Sequence, residues 1–498
     1  MGNMRHVPKE VWSRIIVEAI AHVDDRFRIR ALVRLSAVAT PLYHAVVTSP
    51  EMWRDVTVPA LEDGAVESIC RLLAQLPRNS IWSLVASGSL RATHVMLDVL
   101  ERHADSLNLL GITRRPETSV ARDIVSRWAP AWSLLHTLSS MVLTVDVHNG
   151  RHLPCLPPLP ALDILWLDIR GGSVAATPMV LGVQPSLRFL ILHAERKDPI
   201  LGPNDRVPAI TPWLAAALPS LATLHVSMQQ GDPDDAFPPT TQLTQVTELE
   251  LTAAHRPTSY AFMRTFAGVQ QAIVHIRSCA RNLTPHVPIH PDTLRPWSGV
   301  RQLGLTRVPL GPGGAPLQCL TALQKLQIDR CGLQDLGDMG QHPHLTSLWV
   351  RGPLTATDGV GALTALTDLS IMSRSLEDGS DLLRLTRLRN LVLDVSPSYF
   401  PTPWHLPSFV ASLETVWVTH DALGVPELMS ENVEPMPVLQ TLSVSGGTMW
   451  EAGPLLERAA GSPRLRCLRW TGVVCPDFAS TYPRAAAALA RRKRPEYA

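Results

Sequence analysis

The chain has 498 residues, with 45 Lys and Arg against 44 Asp and Glu, so its formal net charge is only +1. This balance excludes a nucleic-acid-binding protein that works by covering phosphates with positive charge. The 45% content of hydrophobic residues excludes a disordered chain. The seven cysteines show no CxxC pair and no zinc spacing with His, so they predict buried free thiols in a reducing compartment and no metal site.

The first residues carry no targeting signal. Met1–His6 lacks the apolar run of a signal peptide, and His6 stands where myristoylation of Gly2 would need Ser or Thr. No stretch approaches the roughly 18 continuous apolar residues of a membrane span. We therefore expect a cytoplasmic protein that does not contact a membrane.

Three short helices are predicted before residue 50. The first has Pro8 in its first turn and an apolar face made of Val11, Ile15, Ile16, Ala19 and Ile20. The second carries Ile29, Leu32, Val33 and Leu35, and the third runs from Thr40-Pro41 to Val47, ahead of Ser49-Pro50. Three such helices cannot bury all their apolar faces among themselves, so the rest of the chain or a partner must cover them.

These residues, followed by Trp53-Arg54-Asp55-Val56, resemble an F-box, whose pattern runs from Leu-Pro-x-Glu to Pro-x-Leu-Trp-Arg. Val7 replaces the usual Leu and Tyr43 the usual Trp. The resemblance implies an F-box-like helical domain over 5–58 that docks onto the Skp-type adaptor of a cullin-RING ubiquitin ligase. It places Val7, Pro8, Glu10, Val11, Ile15, Leu32 and Leu35 at the adaptor interface and Trp53 at the C-terminal end of the bundle. The alternative is an ordinary helical cap on the following domain.

A linking helix is predicted within 59–80, and one pattern then recurs over 81–475. The pattern is Leu-x-x-Leu-x-Leu, and its sixteen copies have a mean spacing of about 26 residues. Clear copies start at Leu107, Leu162, Leu187, Leu221, Val246, Val300, Leu323, Leu345, Leu366, Leu388, Leu413, Leu439 and Leu465, and weaker ones at Ile81, Leu138 and Val269.

The pattern resembles leucine-rich repeats, which implies an α/β solenoid with a parallel sheet on its concave side. Only one copy supplies the usual Asn or Cys after the strand, at Cys331, so an irregular horseshoe is expected. Longer spacings predict Pro-rich insertions around Pro199–Pro212 and Asn282–Pro296. An F-box followed by such repeats resembles the substrate receptors of Skp-cullin-F-box ubiquitin ligases. The alternative is an adaptor-independent repeat scaffold for protein interactions.

Strand alternation identifies the predicted binding face. The third, fifth and seventh residues of each copy should face the concave side. The fifth-position column contains Trp166, Trp349 and Trp417, and it ends at Arg469; we expect these four residues to contact a target. Burial by flanking insertions, or a register that is off by one, remains open. The column has no Arg/Lys stripe, which favours a protein target and no nucleic acid.

The last segment, 476–498, is predicted as a cap helix and a basic tail. The tail, Arg491-Arg492-Lys493-Arg494, is either a nuclear signal or a solvated helix end. No catalytic constellation is found: Gly311-Pro312-Gly313-Gly314 lacks the Lys and Ser/Thr of a phosphate loop, and His342 and His344 lack further metal ligands. The sequence thus predicts a non-enzymatic receptor with no cofactor.

Overall fold

The computed structural model describes residues 16, 31–32, 46, 52–58, 63–87, 93–113, 132–146, 156–170, 177, 181–195, 209–229, 231–277, 288–373, 380–395, 412–419, 436–473 and 477–490. The chain divides into two compact units. The first comprises 1–246 and 253–255, and the second comprises 247–252 and 256–498. All peptide bonds of the described residues are trans.

The first unit is built on a parallel ladder of seven strands, each hydrogen-bonded to the next along the chain. They are β1 Asp55–Val58, β2 Ser83–Ser87, β3 Leu109–Thr113, β4 Ser140–Asp146, β5 Ile164–Arg170, β6 Phe189–Glu195 and β7 Thr223–Met228. Its described helices are α1 Asp63–Leu73, α2 Thr93–His103, α3 Thr211–Ala217 and α4 Pro233–Ala236.

The second unit carries ten further strands in the same parallel arrangement. They are β8 Glu248–Ala253, β9 Gln271–Ile276, β10 Gln302–Thr306, β11 Lys325–Asp329, β12 Ser347–Arg351, β13 Asp368–Ser373, β14 Asn390–Val395, β15 Thr415–Thr419, β16 Thr441–Thr448 and β17 Cys467–Val473. Its described α-helices are α5 Pro291–Leu294, α6 Met449–Ala460, α7 Phe478–Thr481 and α8 Pro483–Ala490.

Short 3-10 helices make up most of the connections in the second unit. They cover Ala261–Thr265, Arg295–Trp297, Pro312–Cys319, Gly337–Gln341, Val360–Ala362 and Ser380–Arg384. The described ends of the two predicted Pro-rich insertions lie in helical turns, at Thr211–Ala217 and at 291–297.

The repeat register is confirmed for all sixteen copies, because β2 to β17 each begin two residues after the predicted anchor. In the copy that starts at Leu162, the anchor, Leu165 and Leu167 are all 0% exposed. The alternating pattern therefore places one face of each strand in the core, as in leucine-rich repeats.

Proline marks the entry to several strands for a defined reason. Pro160 and Pro343 each occupy the second position of a turn. In each turn the anchor leucine donates its backbone N–H to the carbonyl oxygen of the residue before the proline, at 3.1 Å in both cases. A proline fixes φ for this position and has no N–H to leave unpaired. The Leu-Thr-x-Leu copies close the same turn, as in Leu366 N–H to Leu363 O at 2.9 Å.

The unpredicted strand β1 corrects the boundary of the N-terminal domain. The F-box-like pattern places Asp55–Val58 in the helical domain, but this segment pairs in parallel with β2, with Asp55 opposite Ser83. Trp53 occupies the anchor position two residues ahead of this strand and is 1% exposed. The segment from Trp53 to Val58 is therefore the first copy of the repeat, with Trp in place of Leu.

Cys331, at the position after the strand where Asn or Cys is usual, contacts the preceding repeat. Its thiol lies 3.3 Å from the carbonyl oxygen of Leu305 in the preceding repeat and is 2% exposed. Burial raises the pKa of the Cys331 thiol to about 12, so it stays protonated and can donate to the backbone. A side-chain donor at this position ties neighbouring repeats together.

Candidate binding surface

The solvent-facing side of each strand is the surface left open by the fold. In β5, Leu165 and Leu167 are fully buried, whereas Ile164 and Trp166, which alternate with them, are 41% and 47% exposed. The third and fifth positions of the copy thus face solvent, as the alternation predicts. We call this side of the strands the open face, and we describe it separately for each unit.

Apolar side chains meet in register on the open face of the first unit. Trp166 lies opposite Val142 on one side and Ile191 on the other, and Ile191 lies opposite His225. Adjacent strands are about 4.8 Å apart, so these side chains are direct neighbours. Phe189 packs its ring edge-on against His225, with ring centroids 4.9 Å apart. A half-exposed apolar strip therefore crosses β4 to β6 and ends at His225 on β7.

A polar cluster borders this strip on the same face. Asp168 Oδ2 lies 3.1 Å from Arg170 Nε, and Asp168 Oδ1 lies 3.1 Å from His193 Nδ1. Burial opposes ionisation of Asp168, but the hydrogen bonds and the positive charge of its two partners outweigh it, so the pKa of this carboxyl lies below its ordinary value. The cluster supplies fixed charge and hydrogen bonding beside the strip.

On the open face of the second unit, the tryptophans of the fifth-position column lie among small and polar neighbours. Trp349 lies opposite Gln327 and Ser370, and Trp417 lies opposite Val392 and Ser443. Both indoles are partly exposed. Arg469 is exposed at the end of the column, opposite Ser443. The register expected from the sequence is confirmed for all three residues.

The predicted adaptor residues are placed only in part. Val7, Pro8, Glu10, Val11, Ile15 and Leu35 lie outside the described residues. Leu32 and Trp53 are 2% and 1% exposed, and the Trp53 indole N–H donates to the carbonyl oxygen of Val46 at 2.7 Å. These two side chains are core positions in this structure and are not presented to solvent.

The fifth-position column does not include the partly exposed apolar residues beside it. Ile164 and Phe189 lie at the third position of their copies, on the same face as Trp166. The same alternation could have identified them, because third and fifth positions share a face. Ile273, the fifth residue of the copy that starts at Val269, is 41% exposed on β9.

The part of the chain that the structure describes has neither a metal-ligand cluster nor a membrane-spanning helix. It contains no group of three or more His, Cys, Asp or Glu side chains that could hold a metal ion. None of its helices has the length and apolar character to cross a membrane. His342 is 1% exposed and its Nδ1 lies 3.2 Å from the carbonyl oxygen of Leu320, so it is a core residue.

Comparison with known proteins gives structural likeness alone. No protein-family model matches the chain, and no curated protein matches it. Among solved structures, an internalin from Listeria monocytogenes is similar at a TM-score of 0.40 and 14% identity, covering 77% of this chain and 88% of the internalin. A leucine-rich-repeat protein from Leptospira interrogans is similar at a TM-score of 0.36 and 12% identity, covering 71% of this chain and 90% of that protein.

Proposed function

We propose that this chain is a non-catalytic receptor that binds a protein through its open face. The observation that carries the proposal is the side-by-side exposure of Ile164 and Trp166 on β5, at 41% and 47%. Large apolar side chains that are left in water within a contiguous strip are typical of interaction sites. Tryptophan in particular serves as an interface anchor, and its truncation costs about 2 kcal/mol or more of binding free energy at hot spots.

The ladder beneath the strip suits this role because it holds the side chains in fixed positions. Each strand of the first unit pairs with the next over four or more residues. A surface that is ordered before binding loses little conformational entropy on binding, and affinity benefits accordingly. The bordering Asp168 cluster adds polar groups whose partners are already in place, as interface rims commonly do.

Capture from extract with matched variants tests the binding role. Trp166→Ser removes the anchor, and Val183→Ser is the control, because Val183 is 52% exposed and lies outside the strands. We expect proteins that are recovered with the wild type and with Val183→Ser to be depleted several-fold with Trp166→Ser. Equal recovery with all three chains would contradict a receptor role for this face.

More specifically, we propose that the bound protein is a ubiquitination substrate and that the N-terminal segment docks a Skp-type adaptor and, through it, a cullin. This part rests on the F-box-like pattern that begins at Val7-Pro8-x-Glu10-Val11 and runs to Ser49-Pro50. Apolar helical faces that a short segment cannot cover by itself are what an adaptor would bury. Without a recruited ligase, the same chain is an interaction scaffold.

Co-purification with an adaptor separates the two versions. The intact chain is expressed with a Skp-type adaptor and a cullin, beside a Pro8→Ala/Val11→Asp double variant and a Val183→Asp control. The ligase version predicts association that is retained by the control and lost by the double variant. Absence of association for the wild-type chain would leave the adaptor-independent scaffold and would demote the N-terminal helices to a cap.

A further inference from the structure

Three arginines gather where β10, β11 and β12 end in the second unit. Arg307 follows β10, Arg330 follows β11, and Arg351 is the last residue of β12. We call these three residues the arginine cluster. The Nε atoms of Arg330 and Arg351 lie 3.9 and 4.0 Å from the same oxygen, Oδ1 of Asp329. Arg307 Nη1 donates to the carbonyl oxygen of Arg277 at 2.9 Å.

Asp329 balances only part of this charge. Three guanidinium groups and one carboxylate leave a formal charge of +2 at one edge of the sheet. The side chains of Arg330 and Arg351 are 53% and 49% exposed. Their distances to Asp329 exceed the 2.7–3.2 Å of an N–H to O hydrogen bond. Within the described part of the chain, neither guanidinium makes a hydrogen bond, so their donors face solvent.

Two of the three arginines adopt a backbone conformation that arginine disfavours. Arg307 and Arg330 have φ of 57° and 55° and occupy the same position in consecutive repeats. Left-handed backbone is accepted readily by Gly and tolerated by Asn, but it is strained for a long side chain. Residues with such a strained backbone are found preferentially at functional sites. Here the Arg330 guanidinium lies beside Asp329, and the Arg307 guanidinium extends toward Arg277 at the end of the neighbouring strand.

The surface next to the cluster is apolar and notched. Trp349 precedes Arg351 by two residues on β12, so both side chains lie on the open face. On the neighbouring strand β11, Gln327 lies opposite Trp349. On β10, Gly304 lies between Gln327 and Ile273, which is 41% exposed on β9. Because Gly304 has no side chain, it leaves a notch between these two residues. An apolar side chain of a partner fits beside Trp349 while its carboxylates reach the arginines.

We propose that the arginine cluster docks an acidic segment of a protein partner, with an apolar residue of that segment against Trp349. This inference deepens the proposed receptor function and rests on it. Guanidinium groups bind carboxylates through paired N–H donors, which suits Arg330 and Arg351. The cluster spans three strands, about 10 Å, so it covers a few carboxylates and is too short to track a nucleic-acid backbone.

Fluorescence anisotropy of the full-length chain with labelled peptides tests the inference. The peptides share one length and one scaffold of Leu residues, and their polar positions carry Glu, Gln or Lys. We expect the Glu peptide to bind at least about tenfold more tightly than the other two, with an affinity that falls as salt is added. Equal affinity for the three peptides, or binding of a single-stranded oligonucleotide in place of the Glu peptide, would overturn the proposal.

The variant Arg330→Asn/Arg351→Gln isolates the cluster. We expect this variant to bind the Glu peptide about tenfold more weakly than the wild type does. The control is Arg464→Gln/Arg466→Gln, which removes the same charge from exposed arginines elsewhere in the second unit. We expect the control to bind the Glu peptide with unchanged affinity. Because Asn tolerates the left-handed backbone, the melting temperature of Arg330→Asn should equal or exceed that of the wild type, so lost binding cannot be ascribed to misfolding.

Failure of the inference and failure of the receptor function give different results. If Trp349→Ser abolishes binding of all three peptides while the arginine variant binds them normally, the open face binds protein and the acidic preference is wrong. If the Glu peptide does not bind the wild-type chain at all, the inference is contradicted, and the receptor function stands or falls on the capture experiment with Trp166→Ser.

Discussion

Truncation of two tryptophans should separate the core of the first unit from its open face. Trp53 is 1% exposed and donates from its indole N–H to Val46 O at 2.7 Å. Trp53→Ala should destabilise the region by about 3–5 kcal/mol through the lost side chain, and an unpaired buried carbonyl adds about 1–3 kcal/mol. Trp166 is 47% exposed. Full burial of a large apolar side chain contributes about 1.5–3 kcal/mol, so Trp166→Ala should cost only about half of that.

Hydrogen exchange measured by mass spectrometry is the appropriate assay, because opening free energies of individual strands are read directly in a repeat protein that need not unfold in one step. Peptides that cover β1 and β2 report on Trp53, and Trp53→Phe keeps the ring while removing the hydrogen bond. We expect Trp53→Ala to speed exchange in β1 and β2 far more than Trp166→Ala speeds exchange in β5. Unchanged exchange in β1 and β2 after Trp53→Ala would refute the assignment of Trp53 as the first anchor.

Three further predictions follow from individual contacts. His103 is 1% exposed; its Nδ1 accepts from Ser80 N–H at 3.3 Å and its Nε2 lies 3.3 Å from Leu73 O. Burial lowers the pKa of His103 below 6.5, so the unfolded chain takes up a proton before the folded chain as the pH falls. Thermal melts should therefore show stability declining below about pH 6.5, and His103→Gln should reduce this decline. Gly359 has φ of 83°, and a Cβ there would lie 2.6 Å from Gly337 O, so Gly359→Ala should lower the free energy of unfolding by at least about 1–3 kcal/mol in chemical denaturation. Gly332 has φ of 77° with open space around it, so Gly332→Ala should lower the free energy of unfolding by only about 1 kcal/mol. Equal losses for the two variants would contradict the steric argument. The Glu457 carboxylate caps α8, because it accepts from the backbone N–H groups of Arg484 and Ala485 at 3.2 and 2.8 Å. Glu457→Ala should therefore destabilise α8 by about 0.5–2 kcal/mol, measured as faster hydrogen exchange over 483–490. An unchanged exchange rate would show that this cap contributes nothing.

The repeat register was predictable because one rule sets every copy. An anchor leucine ends a turn, and the strand begins two residues later with buried residues at the fourth and sixth positions. Even the weak copies at Ile81, Leu138 and Val269 obey it. Solvent-facing positions follow from the same alternation, so the exposure of Trp166 could be inferred without a structure. This is why most of the candidate surface was accessible to sequence reasoning.

The first strand escaped prediction because two patterns overlap at Trp53. The run Trp53-Arg54-Asp55-Val56 matches the end of an F-box, and it also matches a repeat copy in which Trp replaces the anchor Leu. The pairing of β1 with β2 decides for the strand. The neighbouring backbone supplies that information, since the N–H groups of both Trp82 and Ser83 donate to Arg54 O at 2.9 Å.

The arginine cluster escaped prediction for a different reason. Arg307 and Arg330 lie just after their strands, where side-chain direction depends on the backbone conformation and not on strand alternation. Both residues have positive φ values, and no periodic pattern encodes that conformation. The 3-10 connections of three to eight residues were likewise too short to show a helical period.

Hydroxyl-radical footprinting of the chain, free and bound to a captured partner, tests most directly the central claim that the open face is the protein-binding surface. The oxidation rate of Trp166, which is 47% exposed in the free chain, should fall several-fold in the complex. Val183 and Leu134, which are 52% and 39% exposed outside the strands, should react at unchanged rates. Protection of Val183 or Leu134 with Trp166 unchanged would contradict the account.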